Sequence, residues 1–416
     1  MKITTILKAS IAATSLMGGM PAMAEGIKVG HLTYHTGEYG AWGEFFDGVA
    51  DFAISVVNQD PPLGREFVTI HQDIGTIGEA MAARKLLDSE NVDILLNPAH
   101  SYLSYRDYAI DRVAQNQGPL MPSVHGGAIE AEYGGTGEEP IFRGSPMDSA
   151  QATAAILHAH QAGKTSVVLI ATEVAGSQLQ KEAAEKVAAS LGIDVLLSVD
   201  IQPGQPNYRS VVSRVAREKP EAVIVFSAPA DGGAIVKNAA ESGEAWFVVG
   251  TSEWQEEEFA NTATVGAIAQ HEEVVFAAFA PQEGEAWDYY EPLASASPQA
   301  EAIGDVANSY AIQYYDLIVA TALAIELAGT TDAGPWASAM YEVTGGDGEI
   351  VHTYAEGIEA LRAGKPINYD GVTGSMEYTN TGVVAGLFGI FEWGDDGLNM
   401  VASVDGNKVL ELEQLN

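Results

Sequence analysis

The feature that most constrains this chain is an alternation. Short runs rich in Val and Ile are each followed, within a few residues, by a run with apolar residues at helical spacing. Ile27, Val29 and Leu32 begin the first strand, and a helix is expected over 44–58. Strands at 67–72, 92–96 and 120–124 then alternate with helices at 79–89 and 103–115. After a Gly- and Glu-rich break at 129–139, Ile141-Phe142-Arg143 opens a second run. Its expected helices are 148–162 (capped by Asp148), 177–191, 208–217 and 232–242; its strands are 167–171, 195–199, 222–227 and 246–250. Strands and helices interleaved in this way define an α/β fold with parallel sheets covered by helices, here two Rossmann-like lobes.

A short internal echo supports two similar units. Residues 84–96 and 214–226 each read as a helix end, an acidic turn and a buried strand running into a loop of small residues. Further on, a strand is expected at 273–279, a helical region at 301–328, helices at 336–341 and 354–363, strands at 368–377 and 386–393, and a polar tail.

Ligands of open parallel sheets bind beyond the carboxyl ends of the strands. The loop between the first strand and first helix, broken by Gly37 and Gly40, is therefore expected to wall a cleft, with Trp42 as its apolar contact or as a surface aromatic.

The N-terminus reads as a secretory signal over 1–24: Lys2 and Lys8, an apolar core, and Ala22-Met23-Ala24 as a small-x-small cleavage site. The core is shorter than the ~20 residues needed to span a bilayer, and no later segment reads as long and apolar enough. No Cys occurs, so neither disulfides nor a lipid anchor are expected. The net charge is −37, and about −39 once the two signal lysines are removed. So acidic a surface argues against nucleic acid or anionic membrane as partner.

Motifs of covalent chemistry are missing: no Gly-rich phosphate loop after a strand, no nucleophile elbow, no His-Glu-x-x-His. His31 and His35 are four apart on a strand and loop, where that spacing is not expected to converge on a metal. His100 and His125 are expected to meet at the cleft as neutral hydrogen-bonding groups. No cofactor, metal or enzymatic activity is expected.

The whole chain after residue 24 resembles the periplasmic solute-binding proteins of the branched-chain amino acid type, the extracytoplasmic components of ABC importers. The resemblance rests on Trp42-Gly43 with Phe46-Asp47-Gly48-Val49 and Val57-Asn58, on Phe142-Arg143 with Asp148-Ser149-Ala150-Gln151, and on Gly371-Val372-Thr373-Gly374 before the turn at 379–382. It implies a type I periplasmic binding fold with a multi-crossing hinge. The first lobe is expected to comprise 25–145 and 272–350, the second 146–271 and 351–416. It implies a periplasmic, monomeric receptor that delivers a small amino acid to an inner-membrane permease. An amide, or an aromatic or aliphatic carboxylate, stays open as ligand; a signalling domain and an exported hydrolase are the more distant alternatives. By resemblance, the ligand carboxylate falls to His100-Ser101-Tyr102 and to His125-Gly126-Gly127, where Gly-Gly replaces the family's Thr. The ammonium falls to Glu253. Ser101 is alternatively a helix cap, Tyr102 a surface aromatic and Glu253 a solvated acid. Val174-Ala175 stands where the family carries an aromatic.

Overall fold

The computed structural model describes residues 25–36, 40–99, 101–124, 129, 132–384, 388–394 and 397–414. The signal-like segment lies outside them. In the first unit, β1 (Ile27–Thr33) leads to α1 (Gly43–Val57), β2 (Phe67–Asp73), α2 (Glu79–Lys85), β3 (Ile94–Leu96), α3 (Arg106–Ala114), β4 (Met121–Ser123) and β5 (Ile141–Arg143). Strands β2, β1 and β3 are parallel neighbours. The Leu95 and Asn97 N–H groups donate to the carbonyls of Leu120 and Pro122, both at 2.8 Å, and join β3 to the parallel β4–β5 pair. The order is therefore 2-1-3-4-5.

The second unit holds α4 (Asp148–Gln161), β6 (Ser166–Thr172), α5 (Ala175–Ser190), β7 (Asp194–Ile201), α6 (Arg209–Glu218), β8 (Ala222–Phe226), α7 (Pro229–Glu241), β9 (Phe247–Thr251), α8 (Glu257–Ala263), α9 (Val265–Ile268) and β10 (Glu273–Phe279). Its parallel strands run β7-β6-β8-β9-β10, the same order again. The echoed segments end in β3 and β8, which occupy equivalent places beside β1 and β6.

The chain then returns to the first unit with α10 (Glu285–Ser295), α11 (Ala300–Ile303), α12 (Ser309–Ala328), α13 (Ala333–Thr344), β11 (Glu349–Val351), α14 (Tyr354–Arg362), β12 (Ile367–Gly371) and β13 (Gly374–Ser375). It finishes in the second with β14 (Phe388–Gly394), β15 (Gly397–Val404) and α15 (Gly406–Gln414); β14 is antiparallel to both β10 and β15.

The lobe limits expected at 271 and 350 do not follow this pairing. β10 is a strand of the second sheet, between β9 and β14. α14 belongs to the first unit: Tyr354 donates to the Asp60 carbonyl (2.8 Å), and Arg362 pairs with Asp60 (2.7 Å) and Glu326 (2.9 Å). The expected polar tail is instead β15 and α15, whose Val409 and Leu412 are buried. The helical region expected from 301 is broken at Gly304, and α12 begins at Ser309.

α12 is long and apolar enough to cross a membrane by length and composition, contrary to the sequence expectation. Its apolar window is 83% buried inside the protein, as in a core helix. Phe46 and Phe52 of α1 pack on its Tyr310, Tyr314 and Tyr315; each fully buried Phe contributes on the order of 2–3 kcal/mol. Gly48 permits the close crossing of α1 over α11, since a Cβ there would lie 2.8 Å from Ala302 Cβ.

The Gly371-Val372-Thr373-Gly374 motif wraps a buried carboxylate. Asp316 of α12 accepts from Tyr369 Oη (2.8 Å), the Val372 N–H (3.0 Å), and the Thr373 N–H and hydroxyl (both 2.7 Å). A Cβ at Gly371 would collide with it at 2.4 Å. Burial pushes Asp316 up to about 6, against the hydrogen bonds that favour its charge. Asp316→Ala strands these buried donors and is expected to cost about 3 kcal/mol or more. It should lower the urea midpoint with little change in m, while Asp316→Asn should cost less.

Candidate ligand-binding site

In a 2-1-3-4-5 sheet the strand order reverses between β1 and β3, and ligands settle at that switch point. The loops after β1 and β3 flank it in the first unit, and those after β6 and β8 in the second. The β1 loop is fixed by Asp73 at the end of β2. Its carboxylate accepts from the N–H groups of His35 (2.9 Å) and Gly75 (3.0 Å) and the hydroxyls of Thr36 (2.6 Å) and Thr76 (3.0 Å). Desolvation opposes its charge, but these bonds win and hold it well below the usual carboxylate range. Trp42, half-buried, closes this loop. Its ring stacks on Phe46 at 5.6 Å and meets Tyr310 edge-on at 5.9 Å.

The β3 loop departs from expectation. Glu79, the first residue of α2, is buried, and its carboxylate takes the N–H groups of Ala99 and Ser101 (both 2.8 Å) and Tyr105 Oη (2.7 Å). An internal carboxylate thus sits on the backbone amide of Ser101, one of the residues the resemblance assigns to a ligand carboxylate. Ser101 is exposed, and it precedes a 3-10 turn without capping it by its side chain. Tyr102 is not a surface aromatic: it is fully buried and donates to Glu139 Oε1 (2.7 Å), and Arg106 grips both oxygens of that carboxylate through bonds of 2.7 Å. Desolvation, then the Glu139 contact, raises the Tyr102 hydroxyl well above its ordinary value. His100, His125, Gly126 and Gly127 lie outside the described residues.

On the second unit, Glu253 follows β9 in a short 3-10 turn, exposed, accepting a hydrogen bond from the Thr251 hydroxyl. The turn is tethered by the Ser252 N–H donating to Gln151 Oε1 of α4 (3.0 Å). Asp148 is the first residue of α4 rather than its cap. Burial first, and then the charge of Glu253, push Asp148 up to about 7. Among the described residues neither acid is paired with Lys, Arg or His. The sequence carried a signal for Asp148, since it stands in the second resemblance motif, but not for its partnership with Glu253. Val174 and the start of α5 lie beside it, with Asp148 Oδ2 3.5 Å from the Cβ position of Gly176. A separate cavity of about 280 Å³ lies at the second crossing, lined by Gln255, Phe279, Trp287, Ser309, Phe391 and Met400; none of the expected site residues lines it.

Behind the β1 loop, three histidines converge after all, because α1 carries Asp47 over the end of β1. His35 Nε2 lies 2.6 Å from Asp47 Oδ2. His31 Nδ1 and His71 Nδ1 lie 3.4 and 3.1 Å from Asp47 Oδ1 and 3.0 Å from each other. Desolvation lowers His31; His71 is held up to about 9, its desolvation outweighed by Asp47 and Asp51. The pair is invisible locally, since His31 and His71 meet only through the β1–β2 register.

Two units of identical strand order, three crossings between them and polar loops at the carboxyl edges define a two-lobed solute-binding fold. The sequence model for periplasmic binding proteins matches residues 26–379, and the chain belongs to that family. The substrate-binding protein LivJ of a branched-chain amino acid transporter from Streptococcus pneumoniae, solved with isoleucine, shares the fold at 16% identity and TM-score 0.67, over 91% of this chain and 99% of that one. The leucine-binding protein LivK of Thermotoga maritima does so at 16% and 0.69, over 92% and 99%. An ABC transporter solute-binding protein of Rhodopseudomonas palustris, solved with 3,4-dihydroxybenzoic acid, does so at 17% and 0.65, over 92% and 98%. No curated protein matches the sequence. The family comprises solute-binding proteins rather than enzymes.

Two outcomes test this geometry. Glu79→Gln retains the shape and one acceptor oxygen but sets an NH2 group against at least one of the three donors, and should cost about 2–3 kcal/mol by urea unfolding. Asp148, raised above the 3.8 of an ordinary Asp, destabilises the fold progressively as pH rises from about 4 to about 7. Glu253→Gln relieves that repulsion. Its melting temperature should exceed wild type by roughly 1–3 °C at pH 8 and match it below pH 5.

Proposed function

We propose that this protein is the periplasmic receptor of an ABC importer and that it captures a small amino acid between its lobes. The carrying observation is the pair Asp148 and Glu253: two carboxyls at the carboxyl edge of the second sheet, Asp148 raised by burial first and then by the charge of Glu253, with no cation beside them among the described residues. A ligand ammonium supplies the missing charge and makes charge-assisted hydrogen bonds. Trp42, with Phe46 and Tyr310 behind it, offers an apolar wall from the first lobe. His100 and Ser101 in the loop after β3, and His125, Gly126 and Gly127 in the loop after β4, are the proposed partners of the ligand's other polar end. Closure about the hinge lets both lobes touch the ligand, and the closed form is the one delivered to a membrane permease.

A second reading rests on Glu79. Because its carboxylate occupies the Ala99 and Ser101 amides, the first lobe has fewer donors for a ligand carboxylate, which favours an amide or amine over a free acid.

A thermal-shift screen of amino acids, their amides, aromatic and aliphatic carboxylates and polyamines separates these. A binder at ~100 times its dissociation constant adds about 2.7 kcal/mol. A shift with leucine, isoleucine or valine that disappears in Glu253→Ala supports the amino-acid reading. The affinity should also tighten about tenfold between pH 6 and pH 8 as Asp148 ionises. Shifts with amides alone support the second reading. Shifts only with acids lacking an amine remove Asp148 and Glu253 from the site.

A further inference from the structure

We propose that His31, His71 and Asp47 form a binding site for a divalent first-row transition metal, with Zn²⁺ as the natural probe, beneath the β1 loop of the first lobe. The three donor atoms, His31 Nδ1, His71 Nδ1 and Asp47 Oδ1, make a triangle of 3.0, 3.1 and 3.4 Å sides. Ligand atoms at about 2.05 Å from a tetrahedral Zn²⁺ lie about 3.3 Å apart, so the triangle has the size of one face of such a site. A metal bonded to all three would stand roughly 1 Å out of their plane, with a fourth position open.

The chemistry of the donors points the same way. His71 Nε2 lies 3.1 Å from Asp51 Oδ1, a partner that would hold the ring's remaining proton once a metal displaces the one at Nδ1. His31 Nε2 faces Tyr314 Oη at 3.1 Å, a partner that holds the ring in the orientation a ligand needs. His35 Nε2 holds the other Asp47 oxygen at 2.6 Å. Asp47 Oδ1 is itself buried without a hydrogen-bond partner, and His31 is fully enclosed. Two ring nitrogens and a carboxylate oxygen this close require a proton or a metal cation between them. A proton on one ring satisfies one edge at a time; a divalent cation satisfies all three. Two imidazoles and a carboxylate suit Zn²⁺, Cu²⁺ or Ni²⁺ rather than Ca²⁺ or Mg²⁺. The site is reachable, since the His71 and Asp47 side chains are 26% and 18% exposed.

The bound metal would staple β1, β2 and the first turn of α1 together, just behind Trp42. The test is equilibrium dialysis of the chelator-treated protein against Zn²⁺, with the metal-bound spectrum recorded for Co²⁺. The expected result is one Zn²⁺ per chain, a tetrahedral Co²⁺ spectrum and a higher melting temperature with metal. Asp47→Asn and His71→Gln should each weaken uptake at least tenfold, and Asp51→Asn about tenfold through the ring it orients. His160→Ala, on an exposed part of α4, should leave uptake unchanged. Circular dichroism checks that each variant folds; should Asp47→Asn not fold, His71→Gln and Asp51→Asn carry the test. Absence of stoichiometric uptake overturns the proposal. So does uptake of equal strength in His71→Gln and wild type, which would mean chelation elsewhere on the acidic surface.

Discussion

The buried guanidinium of Arg143 is the interaction on which the two-lobed arrangement depends. It ends β5, where the chain first leaves the first unit, and it is fully enclosed. Its Nη atoms donate to the carbonyls of Ile129 (3.2 Å), Tyr133 (2.7 Å) and Thr381 (2.8 Å). Its own N–H donates to Gly382 (2.7 Å), and its carbonyl accepts from the Val384 N–H (3.2 Å). One residue therefore binds the outgoing first crossing to the strand that leads into the last. Burial brings Arg143 down to about 10, which still leaves it charged at neutral pH. A charge so placed is expensive to bury and more expensive to strand, so the carbonyls around it cannot separate without large cost. The knot ties the first crossing to the last. The second crossing is held similarly, by the Gln282 N–H on the Val372 carbonyl (2.7 Å), and Val372 belongs to the turn that Asp316 gathers. The motifs at 142–143 and 371–374 thus lie at the crossings, each with backbone groups wrapped around a single buried charge.

Much of this was legible locally, and the remainder was hidden for a common reason. Helix α1 and strands β2, β8 and β10 fall where periodicity puts them to within a residue or two, because each is a continuous apolar pattern. The membership of β10 was not legible: Val274–Phe279 is an unbroken apolar run, which says that the strand is buried but not in which sheet. β15 escaped because most of its residues face solvent at the sheet edge, so no alternation marks it. Glu79, twenty residues before the amides it holds, and Glu139, far from Tyr102, escaped because their partners are set by tertiary packing. His31 and His71 escaped because parallel register alone makes them neighbours. Tyr102 was misplaced for the same reason: an aromatic after a loop serine looks exposed until the acid that takes its hydroxyl is known.

The cleft loops share one device, and it bears on what they can bind. Asp73 gathers the N–H groups of the β1 and β2 loops, Glu79 those of the β3 loop, and Asp231 the Gly204 N–H (2.9 Å) and the Tyr208 hydroxyl (2.6 Å) below β8. In each case a carboxylate satisfies the amides that a strand end leaves free. Amides used in this way are no longer available to an anionic ligand, and the carboxylates add their charge to the rim. Asp148 and Glu253 then stand with the opposite deficiency, acids without donors enough. The proteins solved with isoleucine and with 3,4-dihydroxybenzoic acid share this fold at 16–17% identity, and a fold does not by itself set the ligand. Among the described residues of these loops, carboxylates hold backbone N–H groups that a ligand anion would otherwise use. On the proposed reading such a rim would favour a positive nitrogen over a bare carboxylate, through the same bonds that hold its loops in place.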